Sequence, residues 1–182
     1  MQASIALLRG INVGGRNVLT MAALKETFEQ LGCTDVQTYI QSGNVVFQTA
    51  DLARLKRKLP ESLNRQIGTT PEVIYVSATE WRNVVNANPF PEATRDPKTV
   101  HAFFLQDTPD IDPKSLDALK SKSEAWRIVG DVFYLYAPDG VGRSRLANRA
   151  EATLGVATTA RNWRTITRLL AMVDQIEASG PA

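Results

Sequence analysis

Two loops carry residue types that could hold an anion. The first is Gly10-Ile11-Asn12-Val13-Gly14-Gly15-Arg16-Asn17, which has the Gly-x-x-x-x-Gly spacing of a phosphate-binding P-loop. A P-loop continues with Lys and then Ser or Thr, the hydroxyl serving Mg²⁺. Arg16 and Asn17 stand there instead. An arginine can hold phosphate, but an asparagine cannot replace that hydroxyl. The loop is also followed by a helical pattern and then a hairpin, not by the parallel sheet of a nucleotide hydrolase. Metal-free binding survives this test, because backbone N–H groups of a glycine-rich loop near a helix start attract anions. A plain turn is the competing reading, since glycine allows positive φ and close packing.

The second loop, "PDGVGRSR" at 138–145, leads into a helical pattern. Ser144 is the expected N-cap, with Arg143 and Arg145 beside the free N–H groups. Arg145 occupies the place of the third glycine of a dinucleotide fingerprint, which excludes that motif. From Arg143 to Arg168 there are six arginines (Arg143, Arg145, Arg149, Arg161, Arg164, Arg168) against one acid, Glu151. Guanidinium forks fit phosphate and carboxylate. Arg161 and Asn162, at the entrance of the last helical pattern, add a third candidate with Thr165; a cap and its neighbour is the plain alternative.

Other chemistry finds little support. The chain holds a single histidine and a single cysteine. His101 lies in the strand pattern "TVHAFF", and Cys33 follows a helix end, where a structural thiol is expected. These two cannot supply the three or four ligands of a zinc site. No nucleophile elbow, zinc-protease motif or paired-carboxylate signature occurs, so no cofactor or metal is expected. Net charge is +2, from 21 basic and 19 acidic residues, which argues against a general polyanion binder. Apolar runs such as "LLAMV" at 169–173 fall short of the roughly 18–20 residues that span a bilayer. A lone cysteine behind a start without signal-peptide character implies the cytoplasm and no membrane partner.

The elements that must position these residues follow from periodicity. A buried strand covers 4–11. Thr20 caps a helix carrying Met21, Leu24, Phe28 and Leu31, which Gly32 closes. "VQTYIQSGNVVFQT" (36–49) reads as a hairpin turning on Gly43-Asn44 in a two-residue type II′ turn. Leu52, Leu55, Leu59 and Leu63 mark a second helix, interrupted or restarted at Pro60. A strand follows at 72–77, with Ser77 and Glu80 as a capping box for a third helix. Pro89, Pro91 and Pro97 make 89–98 the expected linker between domains 1–88 and 99–182. The second half repeats the order: a strand at 99–106, a helix at 112–122, a hairpin turning at Gly130-Asp131, a helix at 144–155, a strand at 156–160 and a helix at 162–176. Each half therefore reads β-α-β-β-α-β with an appended helix. The expected fold class is α+β, two tandem ferredoxin-like plaits.

The stretches "ALLRGINVGGRN", "TYIQSGNVVF", "NPFP", "GVGRSRL" and "TARNWRT" together resemble the bacterial family called domain of unknown function 1697. The resemblance spans nearly the whole chain. It implies a pair of ferredoxin-like domains and no established activity. The positions matching its motifs are Arg9, Gly10, Asn12, Gly14, Gly15 and Asn17; Gln41, Ser42, Gly43 and Asn44; Arg143 and Ser144; and Arg161, Asn162 and Thr165.

Three functions are compatible with these residues. The first is a small anionic ligand in a cleft formed by loop 9–17, the "QSGN" turn and the "TARNW" entrance. There Arg9, Arg143 and Arg161 would neutralise charge, and Asn12, Asn17, Ser42 and Asn44 would add neutral hydrogen bonds. The second is nucleic-acid binding through Tyr134, Tyr136 and the arginines of 143–168. The third is an interaction module pairing edge strands into dimers.

Overall fold

In the computed structural model, residues 2–12, 14 and 18–179 are described. Gly15 and Asn17 of the first loop lie outside them. The chain groups into two units: residues up to Arg82 together with those from Leu169 onward, and Asn83–Arg168. The divisions fall at 82/83 and 168/169, whereas the prolines pointed to 89–98. Pro91–Arg95 forms a 3-10 turn inside the second unit.

The first unit runs β1 (Ala3–Leu8), α1 (Met21–Gln30), β2 (Thr34–Tyr39), β3 (Asn44–Gln48), α2 (Leu52–Ile67), β4 (Val73–Ser77) and the start of α3 (Ala78–Asn86), which ends in the second unit. Its four-stranded sheet has the order β2-β3-β1-β4, with every neighbouring pair antiparallel. Local chemistry sets the helix ends. The Thr20 hydroxyl accepts from the Ala23 N–H at 3.1 Å. After α1, the Cys33 N–H reaches the Phe28 carbonyl and the Gly32 N–H the Glu29 carbonyl, a Schellman closure around Gly32 at φ 91°. Ser77 and Glu80 make the capping box in both directions. Leu24 and Phe28 of α1 and Leu55, Leu59 and Leu63 of α2 pack on Ala6, Leu8, Val45 and Phe47 of the sheet. Phe28 meets Phe47 edge-to-face at 5.1 Å. Fully burying each such leucine or phenylalanine contributes roughly 1.5–3 kcal/mol.

α2 passes unbroken through Pro60, against the interruption expected there. The ring removes the N–H that would meet the Lys56 carbonyl, at a cost of about 3 kcal/mol. Leu55, Leu59 and Leu63 are buried on both sides of it and hold the helix together across the gap. The β2–β3 hairpin also differs from the reading. Tyr39 pairs with Asn44, so the loop is Ile40-Gln41-Ser42-Gly43 and Asn44 is the first residue of β3.

The second unit runs β5 (Val100–Leu105), α4 (Pro113–Asp117), β6 (Ala125–Val129), β7 (Val132–Tyr136), α5 (Arg145–Leu154) and β8 (Thr158–Asn162), with α6 (Trp163–Ser179) beginning at its end. Its sheet order, β6-β7-β5-β8, repeats the first, again antiparallel throughout. Gly130-Asp131 forms the expected two-residue turn, with Val129 opposite Val132 and Gly130 at φ 56°. α4 is shorter than the expected 112–122; Asp112 caps it and Leu116 is its one buried residue. Phe103, Leu105, Phe133 and Leu135 of the sheet pack with Leu116, Leu146, Ala150 and Leu154. α6 starts in the second unit and ends in the first. There Asp174 and Glu177 hold Arg82 of α3 by its guanidinium.

Candidate functional site

The first loop and the "QSGN" turn do meet. The Leu8 N–H donates to the Gly43 carbonyl at 2.8 Å, and a Cβ at Gly43 would lie 2.7 Å from Leu8 Cβ and 2.9 Å from Ile11 Cδ1. The polar side chains expected to face a ligand are engaged in this joint. Asn12, at φ 55°, donates from Nδ2 to the carbonyls of Leu19 and Gln41, both at 2.9 Å. Its Oδ1 accepts from the Leu19 N–H at 2.8 Å. Asn44 is fully buried and donates to the Tyr39 carbonyl and the Ser42 hydroxyl. Arg9 forms a half-exposed ion pair with Glu72. Gly14 is exposed at φ 58°.

The "TARNW" entrance lies in the second unit. Arg161 is 8% exposed and donates from one nitrogen to the Thr159 hydroxyl and the Ala160 carbonyl, each at 2.8 Å. Burial pushes its guanidinium down to about 10, so it stays charged at neutral pH. Asn162 Oδ1 accepts from the N–H of buried Thr165 at 2.9 Å, which caps α6.

Arg143 and Ser144 are placed differently. Together with Ala118, Leu119, Lys120, Ser121, Glu124, Asp139, Gly140 and Arg145 they line a cavity of about 290 Å³ at the entrance to α5. Ser144 caps the helix as expected, its hydroxyl accepting from the Ala147 N–H at 2.9 Å. A helix start leaves its first N–H groups without intrahelical acceptors, here those of Arg145 and Leu146. Arg143 and Arg145 are exposed. Among the described residues neither is paired with a carboxylate, nor is Lys120. Sequence reading missed Lys120, Glu124 and Asp139 as lining residues. "SKSE" at 121–124 is a capping-box pattern, and the Glu124 carboxylate does accept from the Ser121 N–H at 2.8 Å. That local signal says nothing of the cavity, which needs two segments far apart in the chain. Another cavity, about 440 Å³, is lined by Val18, Leu19, Thr20, Ala23, Glu26, Thr27, Gln30, Gln66 and Ile67. Among the described residues that line it, Glu26 is the only charged one.

The expectation that Tyr134 and Tyr136 present a stacking surface is corrected at Tyr134. It is 1% exposed, and its hydroxyl donates to the Val84 carbonyl at 2.8 Å. A ring so enclosed cannot stack on a base. Tyr136 packs against Phe90, with centroids 6.1 Å apart. Cys33 is buried and its thiol is pushed up to about 11 by burial, which leaves a poor nucleophile.

His101 is buried in β5, opposite Leu135 and Asn162, and its Nδ1 has no hydrogen-bond partner among the described residues. Burial holds its pKa below the ordinary 6.5. The native state therefore binds fewer protons than the unfolded chain, and stability falls as pH drops through the unfolded value. The slope due to this one group cannot exceed about 1.4 kcal/mol per pH unit. Urea titrations between neutral pH and the carboxylate range should show this fall in the wild type and its loss in His101→Leu. An unchanged acid limb in the variant would assign it to other groups.

Among the described residues, no group of His, Cys, Asp and Glu side chains could hold a metal ion, and no helix is long and apolar enough to cross a membrane. A family model described as "Protein of unknown function (DUF1697)" matches residues 1–134, which include the first loop and the "QSGN" turn and stop before Arg143. No curated protein matches the chain. Among solved structures, the conserved bacterial protein SP0830 from Streptococcus pneumoniae is similar at 23% identity and a TM-score of 0.76. The likeness covers 94% of this chain and 98% of that one, and it bears on the fold alone.

Proposed function

We propose, for a chain that belongs to the DUF1697 family, that its function is to bind a small phosphate- or carboxylate-bearing ligand at the entrance to α5. One observation carries this reading: Arg143, Arg145 and Lys120 line a single cavity at a helix start, and among the described residues none of them is tied to a carboxylate. A helix start adds positive potential and unused N–H donors, and guanidinium forks add geometric fit. The lining contains no histidine or cysteine, and the Ser144 hydroxyl already serves its cap. Binding is therefore favoured over a nucleophilic reaction. The common strand order supports reading each unit as a ferredoxin-like plait, a fold that hosts many functions and decides none.

Thermal unfolding in inorganic phosphate and in acetate tests the reading, because a ligand of the native state raises Tm by linkage. The wild type should show a saturable rise in at least one of them, persisting at moderate salt. The double variant Arg143→Ala/Arg145→Ala should fold and lose it. No rise in the wild type, or an equal rise in the variant, would sink the proposal.

A further inference from the structure

We infer that the ligand of the α5 cavity is a zwitterion, carrying an ammonium group as well as its anionic group; this rests on the anion-binding reading above and narrows it. The cavity is lined by charges of both signs that do not neutralise one another. Lys120, Arg143 and Arg145 supply its basic groups, Glu124 and Asp139 its acidic ones. Among the described residues no basic group lies within ion-pair distance of either carboxylate. Opposite charges that line one cavity without pairing can be answered together by a molecule that carries both signs.

The carboxylates are also held in place with acceptor capacity to spare. Glu124 is 8% exposed, and its Oε2 accepts from the Ser121 N–H at 2.8 Å. Asp139 Oδ2 accepts from the Ser123 hydroxyl at 2.6 Å. The second oxygen of each receives no hydrogen bond from the described residues. A simple anion entering here gains the arginines and is repelled by both carboxylates. An ammonium on the same molecule turns that repulsion into attraction. The volume, about 290 Å³, sits at the small end of ligand pockets, which begin near about 300 Å³. A compound the size of an amino acid or an aminoalkyl phosphate suits it.

Calorimetric titration with phosphoethanolamine and with ethyl phosphate separates the two claims, because the probes share their anion and differ in the amine. Phosphoethanolamine should bind the wild type about tenfold or more tightly, the scale of one charge-assisted hydrogen bond. Asp139→Asn and Glu124→Gln each keep an acceptor for their serine partner. At least one should bring the ratio of the two Kd values toward unity while ethyl phosphate binding holds or improves. Equal affinities in the wild type, or a ratio untouched by either substitution, would overturn the zwitterion and leave the anion site standing. If neither probe binds, and glycine and acetate titrated in the same way do not bind either, the anion site falls and the zwitterion with it.

Discussion

Replacing Gly43 with alanine should cost about 2–5 kcal/mol of stability, a large share of what a domain of this size has. Two separate terms make up the figure. Gly43 sits at φ 73°, and an L-residue with a Cβ pays roughly 1–2 kcal/mol there. The new Cβ would also stand 2.7 Å from Leu8 Cβ and 2.9 Å from Ile11 Cδ1. Leu8 Cβ is fixed to a buried strand, so relief requires moving backbone, and overpacking of this kind costs typically about 1–3 kcal/mol. Gly32→Ala supplies the control: its φ is 91°, and nothing lies within 4 Å of a Cβ built there. Urea unfolding of the two variants should show unchanged slopes and a clearly lower midpoint for Gly43→Ala. Equal midpoints would mean that the close approach to β1 carries no energy.

Asn12→Ala should cost about 2–4 kcal/mol. The side chain makes three hydrogen bonds to backbone, to Leu19 N–H, Leu19 carbonyl and Gln41 carbonyl. Each is worth about 1 kcal/mol net. The left-handed φ of 55° adds a further penalty for alanine, since asparagine is among the few side chains that tolerate it. Asn12→Gly removes the amide and keeps the backbone freedom, so it should recover about 1 kcal/mol relative to alanine. Asn12→Asp keeps the acceptor for Leu19 N–H but aims a carboxylate at two carbonyls. It should be least stable at neutral pH and recover as the acid is protonated. A glycine variant as stable as the wild type would show that the amide is not what holds the loop to the turn.

These two positions also show where sequence reasoning reaches and where it stops. Thr20, Ser77 with Glu80, Asp112 and Ser144 all cap helices as read, because a cap involves residues two or three apart and local chemistry decides it. Gly130-Asp131 turns its hairpin for the same reason. The order of strands and helices in each unit was legible from apolar periodicity. Asn12 and Asn44 were legible as polar groups of a loop, but not in their direction. An amide that could meet a ligand can equally meet its own backbone, and the choice depends on how closely the turn at 40–43 approaches β1. Pro60 was read as a break because the burial of Leu55, Leu59 and Leu63 against the sheet is tertiary. Arg143 and Ser144 were found through their loop. Glu124 and Asp139 were not recognised beside them, since their neighbourhood is made by folding and has no spacing in the sequence.

α6 gives the chain an unusual order of completion. The second unit is one continuous segment, Asn83–Arg168, whereas the first needs residues up to Arg82 and again those from Leu169 onward. Buried Leu169, Met172, Val173 and Ile176 belong to that late segment, as do the acids that hold Arg82. During synthesis the part that leaves the ribosome first is thus not the part that finishes first. The first unit therefore lacks this segment until the whole of Asn83–Arg168 has emerged. The usual vectorial advantage of an amino-terminal domain passes here to the middle of the chain, and a nascent chain stopped short of Leu169 would carry every residue of the second unit and only part of the first.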